Sequence, residues 1–210
     1  MQRFDTPKPI TAVLDIPAGR VQFIAADRAD TTVEVLPAQK ATVGYADGVL
    51  RVVVAEPENR LLGPSGSVEV TVQLPAGSRV EGRSAGSELR GVGRLGDVVF
   101  DGAYRRIKID EAASVRLGAV DGAVEVGRLG GPAEITTARG DIRITEAVRG
   151  TVVLSTRHGD ISVGAAAGVS AALDADTGHG RVSNALKNDG TAVLDIRATT
   201  TRGDITARSL

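Results

Sequence analysis

From Val80 onward, three sets of apolar residues recur at a common phase. Val80, Val98, Val115, Ala133, Val152, Leu173 and Ile196 stand seven residues before a turn position that is glycine in five of the units. Five before it stand Gly82, Phe100, Leu117, Ile135, Leu154, Ala175 and Ala198. Two after it stand Leu89, Ile107, Val124, Ile142, Ile161, Val182 and Ile205, at spacings of 18, 17, 18, 19, 21 and 23. Apolar and polar residues alternate within each unit, which is the pattern of a strand with one buried face. Alternation alone also suits a sandwich or a closed barrel. Recurrence of the same residue types at the same phase does not, and it points to a repeat fold. Short strands of one unit cannot bury their apolar face alone. Stacking unit on unit supplies hydrogen-bonding neighbours about 4.8 Å away and pools the apolar faces. The expected fold is therefore all-β, a β-solenoid of about seven coils.

The clearest copies lie in Ala133–Val163, where Ile135, Thr137, Gly140, Asp141, Ile142 and Ile144 correspond to Leu154, Thr156, Gly159, Asp160, Ile161 and Val163. A fourth apolar set, Leu129, Val148, Val169 and Ala192, predicts a third short face. No segment of useful length carries helical periodicity. Residues 1–67 are less regular and read as an N-terminal β cap of the same domain, with repeats over 68–210. Within the cap, Asp47-Gly48 marks a hairpin, and residues 55–67 read as a loop. The hexapeptide Thr11–Ile16 (TAVLDI) recurs unchanged as Thr191–Ile196, which makes the cap a modified coil plus a hairpin. Gly203–Ala207 then reads as a bare last strand, an open edge suited to self-association.

Composition narrows the function classes. Net charge is −1, so a polyanion such as nucleic acid is not expected as a partner. Aromatics are 2% with no Trp, which leaves no stacking platform for bases or sugars. With no Cys there are no disulfides or thiolate metal sites, and a reducing compartment fits. No signal peptide opens the chain and no run is long enough for a membrane helix. A cytoplasmic location is expected, with a surface location left open for a truncated start.

One column of polar residues invites a functional reading. Arg139, His158, His179 and Arg202 stand immediately before the turn glycine, and Asp141, Asp160, Arg181 and Asp204 immediately after it. Stacked units would arrange them as two ladders, a strip able to bind an anion or a metal. His158 and His179, consecutive in the column, would stand about 5 Å apart. The simpler reading is a solvated bend in which Gly supplies positive φ and Asp caps the turn. The two Arg-Gly-Asp triplets at Arg139 and Arg202 fit that geometric slot better than a cell-attachment motif. Thr137, Thr156, Thr177 and Thr200 form a hydroxyl column just before it. No catalytic residues, cofactor site or metal set is expected: there is no phosphate-loop motif, no nucleophile–histidine–acid order and no ligand spacing.

Three stretches carry a resemblance. Asp176–Gly190 (DTGHGRVSNALKNDG), the repeated T-x-x-G-D-[IV]-x-[IV] units, and VEVTVQLPAG at residues 68–77 resemble a bacterial adhesin-labelled domain family of unknown function. The resemblance covers the chain from about residue 10. It implies a right-handed, single-stranded β-helix with no established catalytic residues. The expected function is a non-catalytic scaffold that presents a repetitive surface to a protein partner or to its own copies. A carbohydrate-active β-helix enzyme and a cell-surface adhesin are the alternatives.

Overall fold

The computed structural model describes residues 1–37, 41–54 and 68–210. The expected loop at residues 55–67 lies outside the described residues. No helix occurs among them; sixteen strands join in one mixed sheet. They are β1 (Gln2–Asp5), β2 (Thr11–Ala26), β3 (Asp30–Leu36), β4 (Ala41–Ala46), β5 (Val49–Val54), β6 (Val68–Pro75), β7 (Arg79–Asp121) and β8 (Val124–Leu129). There follow β9 (Ala133–Arg139), β10 (Ile142–Ala147), β11 (Gly150–His158), β12 (Ile161–Ala165), β13 (Ala171–His179), β14 (Val182–Ala185), β15 (Leu194–Arg202) and β16 (Ile205–Ser209). The pairings form two rows of parallel strands. The first runs β5–β2–β7–β9–β11–β15–β13, and the second runs β6–β2–β7–β8–β10–β12–β16–β14. Strands β2 and β7 pass through both rows. β7 is 43 residues long.

Register follows the sequence columns. Val115 faces Ala133, Ala133 faces Val152, and Val152 faces Ile196. Ile107, Val124, Ile142, Ile161 and Ile205 face one another in turn. Period-two alternation puts these residues on one side of each strand, and nearly all of them are fully buried in a single apolar cluster. Burying one such Ile or Leu contributes about 1.5–3 kcal/mol. The fourth column holds only in part. Leu129 is buried, but it faces Ala112 and Ala147, and Ala192 is exposed.

The order of the last two units departs from the sequence. β15–β16 does not lie at the end of the rows: it stands between β11–β12 on one side and β13–β14 on the other. The expectation of an open edge at Gly203–Ala207 is thereby overturned, because β16 is hydrogen-bonded on both sides. The outermost strands are β13 and β14. Their residues explain the placement. Asn184 occupies the inward position taken by Ile144, Val163 and Ala207 in the neighbouring units, a place a polar amide tolerates only where water reaches it. Leu173 and Ala175 are only partly buried, and Val182 is 47% exposed.

A related departure occurs at the other end. β2 stands between β7 and the pair β5 and β6, and antiparallel strands close both rows: β4 against β5, and β3 then β1 against β6. The β4–β5 connection is the hairpin expected at Asp47-Gly48; Asp47 has φ 51° and Gly48 φ 76°. The rings of Phe4 and Tyr45, 5.4 Å between centroids, tie β1 to β4. Arg28 holds both oxygens of Asp30 at 2.9 and 3.0 Å, and Arg3 reaches the same carboxylate at 2.9 Å. These hydrogen bonds, Arg28's first, keep the Asp30 carboxyl below its ordinary value against a smaller opposing effect of desolvation. A lowered pKa means that the contribution is present above the ordinary carboxylate range and is lost as pH falls through the lowered value. Amide protection in β1 is therefore expected to weaken on acidification below that range. Asp30→Asn is expected to weaken it already at neutral pH, as read by hydrogen exchange. Equal β1 protection in both proteins at neutral pH would count against this tie.

Candidate functional site

The bend between the two rows is a column of glycines. Gly122, Gly140, Gly159, Gly203 and Gly180 lie one against the next, and the first four have φ of 114°, 131°, 154° and 148°. A Cβ on Gly140, Gly159, Gly203 or Gly180 would collide with the carbonyl oxygen of the neighbouring glycine in the column. The amide of Gly140 donates to His158 O at 2.9 Å, that of Gly159 to Arg202 O at 2.9 Å, and that of Gly203 to His179 O at 3.0 Å. Glycine is thus required by how closely the backbones approach as much as by φ.

The threonines before the bend face inward. Thr137, Thr156 and Thr200 are 1–3% exposed. The hydroxyls of Thr156, Thr200 and Thr177 donate to the carbonyls of Gly140, Gly159 and Gly203 at 3.2, 3.0 and 2.9 Å. Each satisfies a bend carbonyl of the adjoining unit. The aspartates after the glycine have a matching local task. Asp141 accepts the amide of Asp160 at 2.8 Å, Asp160 that of Asp204 at 2.7 Å, and Asp204 that of Arg181 at 2.8 Å. Each Asp therefore caps the next unit. Position 181 belongs to the outermost unit, which has no next unit to cap, so the change from Asp to Arg181 costs the stack nothing. The two Arg-Gly-Asp triplets have their carboxylates committed in this way.

The residues before the glycine form the exposed ladder. Its spatial order is Arg139, His158, Arg202, His179. The histidines are not adjacent: Arg202 lies between them, which sets their backbones about 10 Å apart. The expected close histidine pair is thereby corrected, because β15 is inserted between β11 and β13. Among the described residues, no group of three or more His, Asp or Glu is placed to hold a metal ion. No ion pair or hydrogen bond engages the side chains of the four ladder residues among the described residues; the Thr137 hydroxyl donates to the Arg139 carbonyl at 3.1 Å. Several arginines on the strand faces do pair. Arg20, Arg79, Arg90, Arg106, Arg116, Arg128 and Arg197 each contact a carboxylate within 3.6 Å. Arg157 adds an exposed cation beside the ladder. Across the four strands the ladder spans about 14 Å.

A shallow depression of about 580 Å³ opens on the outer side of the first row, above the bare Gly118. Asp15, Glu81, Arg83, Asp101, Arg116 and Glu134 line it. Glu134 pairs with Arg116 at 3.0 Å and Glu81 with Arg79 at 2.7 Å. The remaining carboxylates, Asp15 and Asp101, are exposed. Sequence reasoning did not find this depression, whose residues are ordinary alternating surface positions.

No family model matches the chain, and no curated protein does. Among solved structures, one described as a putative adhesin from Bacteroides fragilis NCTC 9343 is similar over 98% of this chain and 95% of its own, with a TM-score of 0.53 and 13% identity. Another, described as a putative cell adhesion protein from Clostridium sporogenes ATCC 15579, covers 100% of this chain and 98% of its own, with a TM-score of 0.44 and 11% identity. The similarity to the Bacteroides protein is one of fold. No helix among the described residues is long and apolar enough to cross a membrane.

Proposed function

We propose that this chain is a non-catalytic, adhesin-like scaffold, a right-handed β-solenoid whose two parallel rows are faces of stacked coils. Its Arg139–His158–Arg202–His179 ladder is the docking strip for an acidic protein surface. The in-register parallel pairing of residues from the same sequence column supports the solenoid. The observation that carries the docking strip is the stacking of Arg139, His158, Arg202 and His179 in register at one exposed bend. Arg139 and Arg202 at fixed spacing on a rigid sheet meet carboxylates without first breaking side-chain pairs, and partner recognition uses such charge complementarity.

The expected outcome of Arg139→Ala combined with Arg202→Ala is loss of the acidic partners that the wild type captures from its native lysate, with an unchanged unfolding midpoint. Capture by the wild type is expected to fall steeply with added salt, since exposed charges are screened within about 8–10 Å at physiological ionic strength. Retention of the same captured proteins by the double variant would refute the ladder as the docking strip.

A further inference from the structure

We propose that the segment Leu194–Ser209 exchanges between two copies of this chain, the segment of each filling the place between β11–β12 and β13–β14 of the other. This inference rests on the stacked-coil reading above and names a second copy as the partner. The segment is inserted out of sequence order, and it is the only strand partner of β13 and β14 among the described residues. Its side chains Leu194, Ile196, Ala198, Ile205 and Ala207 are at most 1% exposed. Its register is continuous on both sides: Ile196 faces Val152 and Leu173, and Ile205 faces Ile161 and Val182. The place therefore recognises the segment by backbone register and apolar fill, whichever copy supplies it.

Only the tether distinguishes the two arrangements. Residues 187–193 are exposed. Two bonds are local, Gly190 N to Asn188 Oδ1 at 2.8 Å and Thr191 N to Asp189 Oδ1 at 3.0 Å; the others, Asp189 N to Ser170 Oγ at 3.1 Å, Val193 N to Ser170 O at 3.0 Å, Gly150 N to Val193 O at 2.9 Å and Lys187 N to Ser209 Oγ at 2.9 Å, tie the tether to neighbouring strands and to the segment. Gly190, with φ of 96° and open space around it, gives the tether a pivot. Exchange keeps every buried contact of the segment and redraws these surface bonds, which is the condition under which exchanged and closed forms lie close in free energy. The outer edge itself is poorly suited to receive a second copy. A two-fold antiparallel pairing of β13 centred on Ala175 sets Asp174 against the partner's Asp176, and like charges directly opposite are destabilising.

The chain has no cysteine, so engineered thiols report without interference. Ser155 on β11 and Thr199 on β15 are register partners. One preparation carries Ser155→Cys and another Thr199→Cys. They are unfolded, mixed, refolded at increasing protein concentration and oxidised. Each chain then holds a single thiol, so a bond between positions 155 and 199 joins two chains. Exchange predicts that this bond exceeds its statistical share over 155–155 and 199–199 bonds and grows with concentration. Mixed bonds at the statistical share or below would overturn it. The pair Thr151→Cys and Asp195→Cys, also in register, gives an independent readout if the first pair disturbs folding. Dimers seen by light scattering without the mixed bond would overturn exchange while leaving self-association through another surface standing.

Discussion

Gly159→Ala is expected to destabilise the protein by about 2–5 kcal/mol, the sum of a strained positive φ and an overpacked contact. Gly159 has φ 154°, and its Cβ would collide with the Gly140 carbonyl oxygen. Neither partner can retreat. Gly140 N donates to His158 O at 2.9 Å, and Thr156 Oγ1 donates to Gly140 O at 3.2 Å. The backbone on both sides of the bend is thus fixed by its own bonds, and the collision has no flexible side chain to absorb it. Gly44→Ala serves as the comparison, since no heavy atom lies within 4 Å of its Cβ position. A surface change of that kind stays within about 0.5 kcal/mol. Urea unfolding of the two variants checks the difference, and equal midpoints would contradict the tight glycine column.

Phe100→Ala is expected to cost about 3–5 kcal/mol, the range for emptying a buried aromatic site. Phe100 is 1% exposed, and its ring occupies the room above Gly82, where a Cβ would collide with the ring carbons. The two positions share one sequence column, so a large residue in one unit is matched by none in the next. Gly82→Ala alone is therefore destabilising. In the double variant the new methyl enters the space left by the ring. The combined loss is expected to be smaller than the sum of the single losses, by about 0.5–3 kcal/mol for residues in contact. Additive losses in a double-mutant cycle would show that the two residues do not share that space.

The sequence made the register of the sheet legible because period-two alternation and a fixed phase leave little choice of pairing. A one-residue slip would turn Ile142, Ile144, Ile161 and Val163 outward together. It also made the turn column legible: the Thr, Gly and Asp of each unit have the local tasks expected of a bend. The order of the units was not legible from periodicity, since every unit fits against every other. Two single residues held that information. Asn184 breaks the apolar column and so belongs where water reaches, and Arg181 abandons the capping Asp and so belongs where nothing is left to cap. Taken as chemistry of the stack rather than as departures in a binding ladder, they place 171–185 outermost. The repeated TAVLDI misleads for a related reason. Ala12, Leu14 and Ile16 all point inward, whereas Ala192 is exposed and only Leu194 and Ile196 are buried. Ala12 lies in the column of Val80 and Ile196 in that of Val152, so identical hexapeptides sit at different phases of the bend.

The order of the last two units rests on the place of β15–β16, and a pair of thiols within one chain tests that place directly. Neighbouring strands set Cα atoms about 4.8 Å apart, inside the range a disulfide spans, and the next strand but one lies beyond it. Ser155 has Thr199 as its register partner, and Asp176 lies beyond Thr199. At high dilution, a chain carrying Ser155→Cys and Thr199→Cys is expected to close an intrachain disulfide, and one carrying Ser155→Cys and Asp176→Cys is expected to stay reduced. Closure of the 155–176 pair with an open 155–199 pair would mean that the units stack in sequence order and would contradict the inserted strand.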